Sequence, residues 1–148
     1  MRAAVVVLAG GASRRWGGRD KTSVLLGTRT VLEHAVGSLT AGAGVGPADA
    51  VVVGPLDHPA RSVLADLRWV RESPPGGGPV AALAAVLPLV PDVVVVGAGD
   101  APFAGDAVPS LLRALTDDVD GVIGVDPGGR DQLLLGVYRT AALRAAIA

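Results

Sequence analysis

Leu8-Ala9-Gly10-Gly11-Ala12-Ser13-Arg14-Arg15-Trp16-Gly17-Gly18-Arg19-Asp20-Lys21 has the residue types of an anion cradle. It follows directly on an apolar run, Ala3 to Ala9, that reads as a buried strand. Glycines let backbone N–H groups approach a ligand, and closely spaced N–H groups make an anion-binding concavity. Three arginines and a lysine add positive charge. The natural guest is a polyphosphate, most simply a nucleoside triphosphate. The run is not a P-loop, because no G-x-x-x-x-G-K-[ST] is present. Nor is it a dinucleotide fingerprint, since no glycine sits two places after Gly10.

Three further groups carry chemistry. Asp100 stands in Gly99-Asp100-Ala101-Pro102, just past the apolar strand Val93–Gly97. A carboxylate at the carboxyl end of a central parallel strand sits where open α/β sheets bind ligands. One carboxylate with substrate phosphate oxygens is a usual way to hold Mg²⁺, which keeps several waters. Asp106 reads as the cap of the next helix. Glu72 precedes Ser73-Pro74-Pro75-Gly76-Gly77-Gly78-Pro79, which leads from a strand into a helix whose first N–H groups lack partners. Last, Arg130 and Gln132 lie in Gly129-Arg130-Asp131-Gln132, ahead of a strand.

Together these segments resemble the molybdenum cofactor guanylyltransferases, small-molecule nucleotidyltransferases with the signature L-A-G-G-x-S-x-R-x-G-x-D-K. Leu8-Ala9-Gly10-Gly11, Ser13, Arg15, Gly17, Asp20 and Lys21 fit it, with Gly18 as one extra glycine. The resemblance implies that the backbone from Leu8 to Gly11 and Ser13 hold the nucleotide. It implies that Arg15 and Lys21 grip the phosphates, and that Asp20 either orients Lys21 or forms a surface ion pair. It makes Asp100, in the family's Asp-x-Pro, the Mg²⁺ ligand. Glu72 and Gly78 match an acid and a Pro-Gly-x-Gly-Pro segment that frame the base. A carboxylate accepts from the N1–H and N2–H₂ edge of guanine; the family has aspartate where this chain has glutamate. Arg130 and Gln132 fall where the family meets its acceptor, and Arg130 reads equally as an exposed turn residue.

The implied reaction moves GMP from GTP to the phosphate of a molybdopterin-type cofactor and releases pyrophosphate. Such a phosphate has a second pKa near ~6, so it attacks without a strong base. Catalysis is then alignment plus charge neutralisation. Two other readings stand beside this one: a cytidylyl- or other guanylyltransferase for a different small phosphorylated acceptor, and an inactive nucleotide-binding module. Family members continue to an Asn/Asp-x-(Asn/Asp)-Thr-Pro-Glu-Asp-like segment. The 148 residues read as a single domain without it.

The elements that must position these groups alternate. Strands are expected at Ala3–Ala9, Ala50–Gly54, Arg68–Arg71, Val93–Gly97, Gly121–Val125 and Gln132–Tyr138. Helices are expected at Thr30–Leu39, Ala60–Asp66, Val80–Val90, Ala107–Leu115 and from Thr140, which reads as an N-cap. Thr40–Pro47 reads as a loop. Doubly apolar runs such as Val93-Val94-Val95-Val96 suit strands covered on both faces. The pattern predicts a Rossmann-like α/β/α three-layer sandwich with a mostly parallel sheet. The short turn Asp126–Arg130 makes one strand antiparallel.

Composition narrows the classes. The net charge of −1 and the scarcity of aromatics argue against a nucleic-acid partner. Without cysteine, and with only His34 and His58, disulfides, thiolate catalysis and a zinc site are not expected. The first apolar run is at the lower limit for a signal peptide. No apolar run approaches the ~20 residues that span a bilayer. A cytoplasmic location is therefore expected. The sequence sets no oligomeric state.

Overall fold

The computed structural model describes residues 2–10, 15–16 and 19–148. Six strands form one sheet: β1 (Ala3–Leu8), β6 (Ala50–Val53), β7 (Arg68–Val70), β8 (Val93–Ala98), β9 (Gly121–Val125) and β10 (Asp131–Arg139). Their order is β7-β6-β1-β8-β10-β9. Neighbours are parallel except where β10 pairs antiparallel with both β8 and β9. The expected single antiparallel member is thus β10. Two small hairpins lie between β1 and the first helix: β2 (Arg15–Trp16) with β3 (Arg19–Asp20), and β4 (Leu25–Leu26) with β5 (Arg29–Thr30).

Strand alternation sends side chains to two cores. Val5, Val7 and Ala9 of the first strand region pack with Leu32, Val36, Leu39, Val108 and Leu111 on one face. Ala4, Val6 and Leu8 pack with Ala82, Val86 and Leu87 on the other. So α1 (Val31–Ala43) and α3 (Val108–Ala114) cover one face, and α2 (Gly78–Val86) and α4 (Thr140–Ile147) the other. The three-layer α/β/α sandwich is as the sequence predicts.

Several helix expectations change. No helix forms at Ala60–Asp66, which is a run of turns. Side chains hold the backbone of this segment in its turns. Trp69 Nε1 donates to Leu64 O at 3.0 Å, and Ala60 N–H donates to His58 Nδ1 at 3.0 Å. Conversely, α1 continues to Ala43, through part of the stretch read as a loop. A capping box between Thr30 and Glu33 starts it, and Gly44, at φ +67°, ends it with the left-handed turn glycine allows. Thr140 is the first residue of α4, not its cap; its hydroxyl donates to Pro91 O. Asp106 does not cap α3 either: the N-cap is Ala107, with no side-chain bond.

Glycine inside α1 has a packing reason. A Cβ on Gly42 would stand 2.2 Å from Gly105 O, and one on Gly105 would stand 1.9 Å from Ser38 O. This backbone contact fixes α1 against the 3₁₀ turn Ala104–Ala107, which follows Asp100. Gly105→Ala is expected to cost about 3 kcal/mol and lower the melting temperature by roughly 6–12 °C, since backbone cannot give way as a side chain can. Thermal denaturation followed by circular dichroism checks this.

Candidate functional site

The chain leaves β1 toward β6 on one side, and enters β8 from β7 on the other. The order of connection therefore reverses between β1 and β8. In open α/β sheets the crevice at this switch point, outside the carboxyl ends of the strands, is where ligands bind. The sequence places its candidate groups around that edge.

Two backbone bonds set the floor. Ala9 N–H donates to Val53 O at 2.8 Å, and Gly99 N–H donates to Leu8 O at 2.8 Å. Leu8, Ala9 and Gly10 thus lie between β6 and the residue that precedes Asp100. Asp100 is half-buried. It lines a cavity of about 500 Å³ with Ala104, Asp131, Gln132 and Leu134. The register of β10 against β9 shifts between Gln132 and Gly136. Such an irregularity re-aims side chains, and it lies in the part of β10 that faces Asp100. Gln132 is further held by its Nε2, which donates to Asp126 Oδ2 at 3.0 Å. Arg130 is an exposed turn residue whose N–H donates to Asp126 Oδ1 at 2.9 Å; the cavity lining does not include it.

Glu72 is the unusual group. It is only 4% exposed, one of few buried acids or bases among the described residues. Oε1 accepts from Gly76 N–H at 2.9 Å. Oε2 is buried with no hydrogen-bond partner among the described residues. A Cβ on Gly10 would stand 3.2 Å from Oε1 and 3.7 Å from Oε2, so the carboxylate lies against the end of the first strand. A buried carboxylate oxygen without a donor is costly unless a ligand supplies one. Gly78, at φ +88°, opens α2, whose Gly77 cap contributes no side-chain bond. The first N–H groups of α2 therefore lack a side-chain acceptor from the cap.

Lys21 begins the 3₁₀ turn Lys21–Ser23. Asp20 caps this turn: Oδ1 accepts from Thr22 N–H at 3.0 Å and from the Thr22 hydroxyl at 2.7 Å. Of the two roles read for Asp20, the structure shows it shaping the turn that carries Lys21. The Thr22 hydroxyl, fully buried, also meets His58 Nε2 at 2.9 Å. No local sequence signal joins Thr22 to His58. Gly11 and Ser13 lie outside the described residues, and so does the Arg15 side chain.

His58 has its pKa lowered from the ordinary 6.5 because burial outweighs the attraction of Asp20, Asp57 and Glu33. The unfolded chain then takes up the proton first. The stability contribution is full above about pH 6.5 and is lost as pH falls below it. Melting temperature is expected to drop between about pH 7.5 and about pH 5.5, and to drop less in His58→Gln, which has no titrating imidazole.

Among the described residues no group of three or more His, Cys, Asp or Glu converges on a metal position. The single carboxylate of Asp100 does suit Mg²⁺, which takes one or two carboxylates and completes its shell with water and substrate phosphates. No helix among the described residues is long and apolar enough to cross a membrane.

The sheet order and its switch-point crevice define an α/β domain of the nucleotidyltransferase fold. The chain belongs to the MobA-like NTP transferase domain family, whose model matches residues 5–148. It is 32% identical over 118 residues to a molybdenum cofactor guanylyltransferase of Acidiphilium cryptum, covering 66% of this chain and 57% of that protein. It is 31% identical over 136 residues to a probable molybdenum cofactor guanylyltransferase of Carboxydothermus hydrogenoformans, covering 91% of this chain and 64% of that protein. The chain thus spans less than two thirds of the length of these two curated relatives. Among solved structures, molybdopterin-guanine dinucleotide biosynthesis protein A of Archaeoglobus fulgidus superposes with a TM-score of 0.68 at 26% identity, covering 97% of this chain and 72% of that one.

Proposed function

We propose that the chain transfers GMP from GTP to the phosphate of a molybdopterin-type cofactor and releases pyrophosphate. The observation that carries this reading is the buried Glu72 carboxylate, with Oε2 lacking a partner among the described residues, set against Gly10 at the mouth of the crevice. Guanine offers adjacent N1–H and N2–H₂ donors to such an acceptor. Cytosine and adenine offer no such adjacent pair of donors.

The triphosphate lies along the backbone from Leu8 to Gly11 and Ser13, with Arg15 and Lys21 on its oxygens and Gly78 beside the base. An acceptor phosphate oxygen attacks the α-phosphorus from the side of Gln132. The bond from the α-phosphorus to its bridging oxygen breaks, and the electron pair leaves with pyrophosphate. The cations hold two anions together and stabilise the charge that grows on the leaving group. Asp100 would hold a Mg²⁺ ion, which would supply further charge neutralisation. No general base is needed, because the acceptor is already ionised at pH 7.

Purified chain incubated with GTP, Mg²⁺ and molybdopterin is expected to release pyrophosphate and form the guanine dinucleotide. Release with CTP but not GTP would reassign the base. GTP binding without release would make the chain a binding module.

A further inference from the structure

We propose that His58 is a positioning residue for triphosphate binding: through Thr22 and Asp20 it sets the turn that presents Lys21. The proposal rests on the reading that Lys21 grips the phosphates.

The geometry is a directed chain of bonds that starts outside the phosphate loop. His58 stands in the connection between β6 and β7, 36 residues from Thr22. Ala60 N–H donates to Nδ1 at 3.0 Å, so that nitrogen carries the lone pair. Nε2 must then carry the proton, and it donates to Thr22 Oγ1 at 2.9 Å. The Thr22 hydroxyl in turn donates to Asp20 Oδ1 at 2.7 Å. Each group has one orientation that satisfies both neighbours.

The ends of this chain are fixed. The His58 ring lies 6.1 Å from that of Trp69, between centroids, and is 5% exposed. Thr22 is fully buried, whereas its neighbour Lys21 is exposed. A short turn with an exposed cation and a buried hydroxyl has its buried side available as an anchor. Ser23 Oγ adds a second tie, donating to Asp20 O at 2.8 Å. The lysine therefore starts from a backbone whose place is set by a residue of another connection. A preset backbone lowers the ordering cost that phosphate binding would otherwise meet.

Two substitutions separate the two ends of the imidazole. Asparagine can keep an oxygen near the position of Nδ1, accepting from Ala60 N–H, but it has no donor that reaches Thr22. Glutamine can place an amide N–H₂ near Nε2, donating to Thr22, and gives up the Ala60 bond. The readout is the ratio of Kd for GMP to Kd for GTP, both with Mg²⁺, by calorimetry. The ratio isolates grip on the β- and γ-phosphates from grip on base and ribose. General loss of stability lowers both affinities and leaves the ratio in place.

Lys21→Ala is expected to shrink the ratio about tenfold or more. His58→Asn, which loses one hydrogen bond to the turn, is expected to shrink it roughly three- to tenfold, and Thr22→Ala, which loses the bonds to both His58 and Asp20, by at least as much. His58→Gln is expected to restore it to within about twofold of the native value. If Lys21→Ala shrinks the ratio while His58→Asn and Thr22→Ala leave it native, the positioning role is overturned and the phosphate role of Lys21 stands. The positioning role is equally overturned if glutamine performs no better than asparagine. If Lys21→Ala itself leaves the ratio native, or the native chain binds no GTP, the underlying reading fails and this one with it. Should His58→Asn not fold, His58→Leu, which likewise offers Thr22 no donor and leaves the Thr22–Asp20 bond in place, takes its part.

Discussion

Asp100→Asn is expected to lower pyrophosphate release from GTP by about 10²–10³, with the fold retained. The substitution keeps size and one acceptor oxygen, removes the formal charge and puts an NH₂ donor where the second oxygen was. Gly99 N–H still donates to Leu8 O, so the strand end that Asp100 follows stays in place. What changes is the attraction for a divalent cation, which amide oxygen binds far less well than carboxylate in a Mg²⁺ site. Steady-state rates across a Mg²⁺ titration distinguish two causes. A metal role moves the half-saturating Mg²⁺ concentration upward as well as lowering the maximal rate. A purely local role in the Asp100 turn lowers the rate at every Mg²⁺ concentration alike. A native rate at saturating Mg²⁺ would take Asp100 out of the mechanism.

The reason so much of the frame was legible lies in strand and helix periods. The valine runs of β1 and β8 are apolar on both faces, and only a strand between two helical layers buries both. The glycine turn at Asp126–Arg130 fixed the direction of β10 for the same local reason. What failed depended on contacts between distant residues. Gly42 continues a helix because Gly105 needs the space, and nothing within Thr40–Pro47 announces that. The connection from Gly54 to Leu67 avoids a helix because His58 and Trp69 bond to its backbone. The same limit applies at the site. Asp100 was singled out by its place just past a central strand, and Glu72 by the family resemblance of its segment. The link from Thr22 to His58, and the β10 irregularity beside Asp100, arise only when separate segments meet. Sequence motifs singled out candidate groups one segment at a time; they did not show which distant residues would hold those segments in place.

Glu72→Gln is expected to make the free chain more stable and GTP binding weaker, two effects of opposite sign from one atom. In the native chain Oε2 is a buried acceptor with no donor among the described residues. The amide removes the formal charge and can still accept from Gly76 N–H through its oxygen. Melting temperature without ligand is therefore expected to rise, by an amount corresponding to about 1 kcal/mol or more. With GTP the argument reverses. The new NH₂ faces the donor edge of guanine, and two charge-assisted bonds are lost. Affinity for GTP is expected to fall by about 10²-fold, because a site shaped to pair with a polar edge discriminates strongly through it. ATP presents no matching donors at N1 and C2, so its weaker binding is expected to stay within a few-fold. Calorimetry with both nucleotides and a ligand-free melt measure all three quantities on one preparation. A carboxylate retained only to shape the loop would give the other pattern: lower stability, with GTP and ATP affected equally. Among the described residues no donor meets Oε2, and on the proposed reading the guanine edge supplies one, which is why the two effects are expected to have opposite signs.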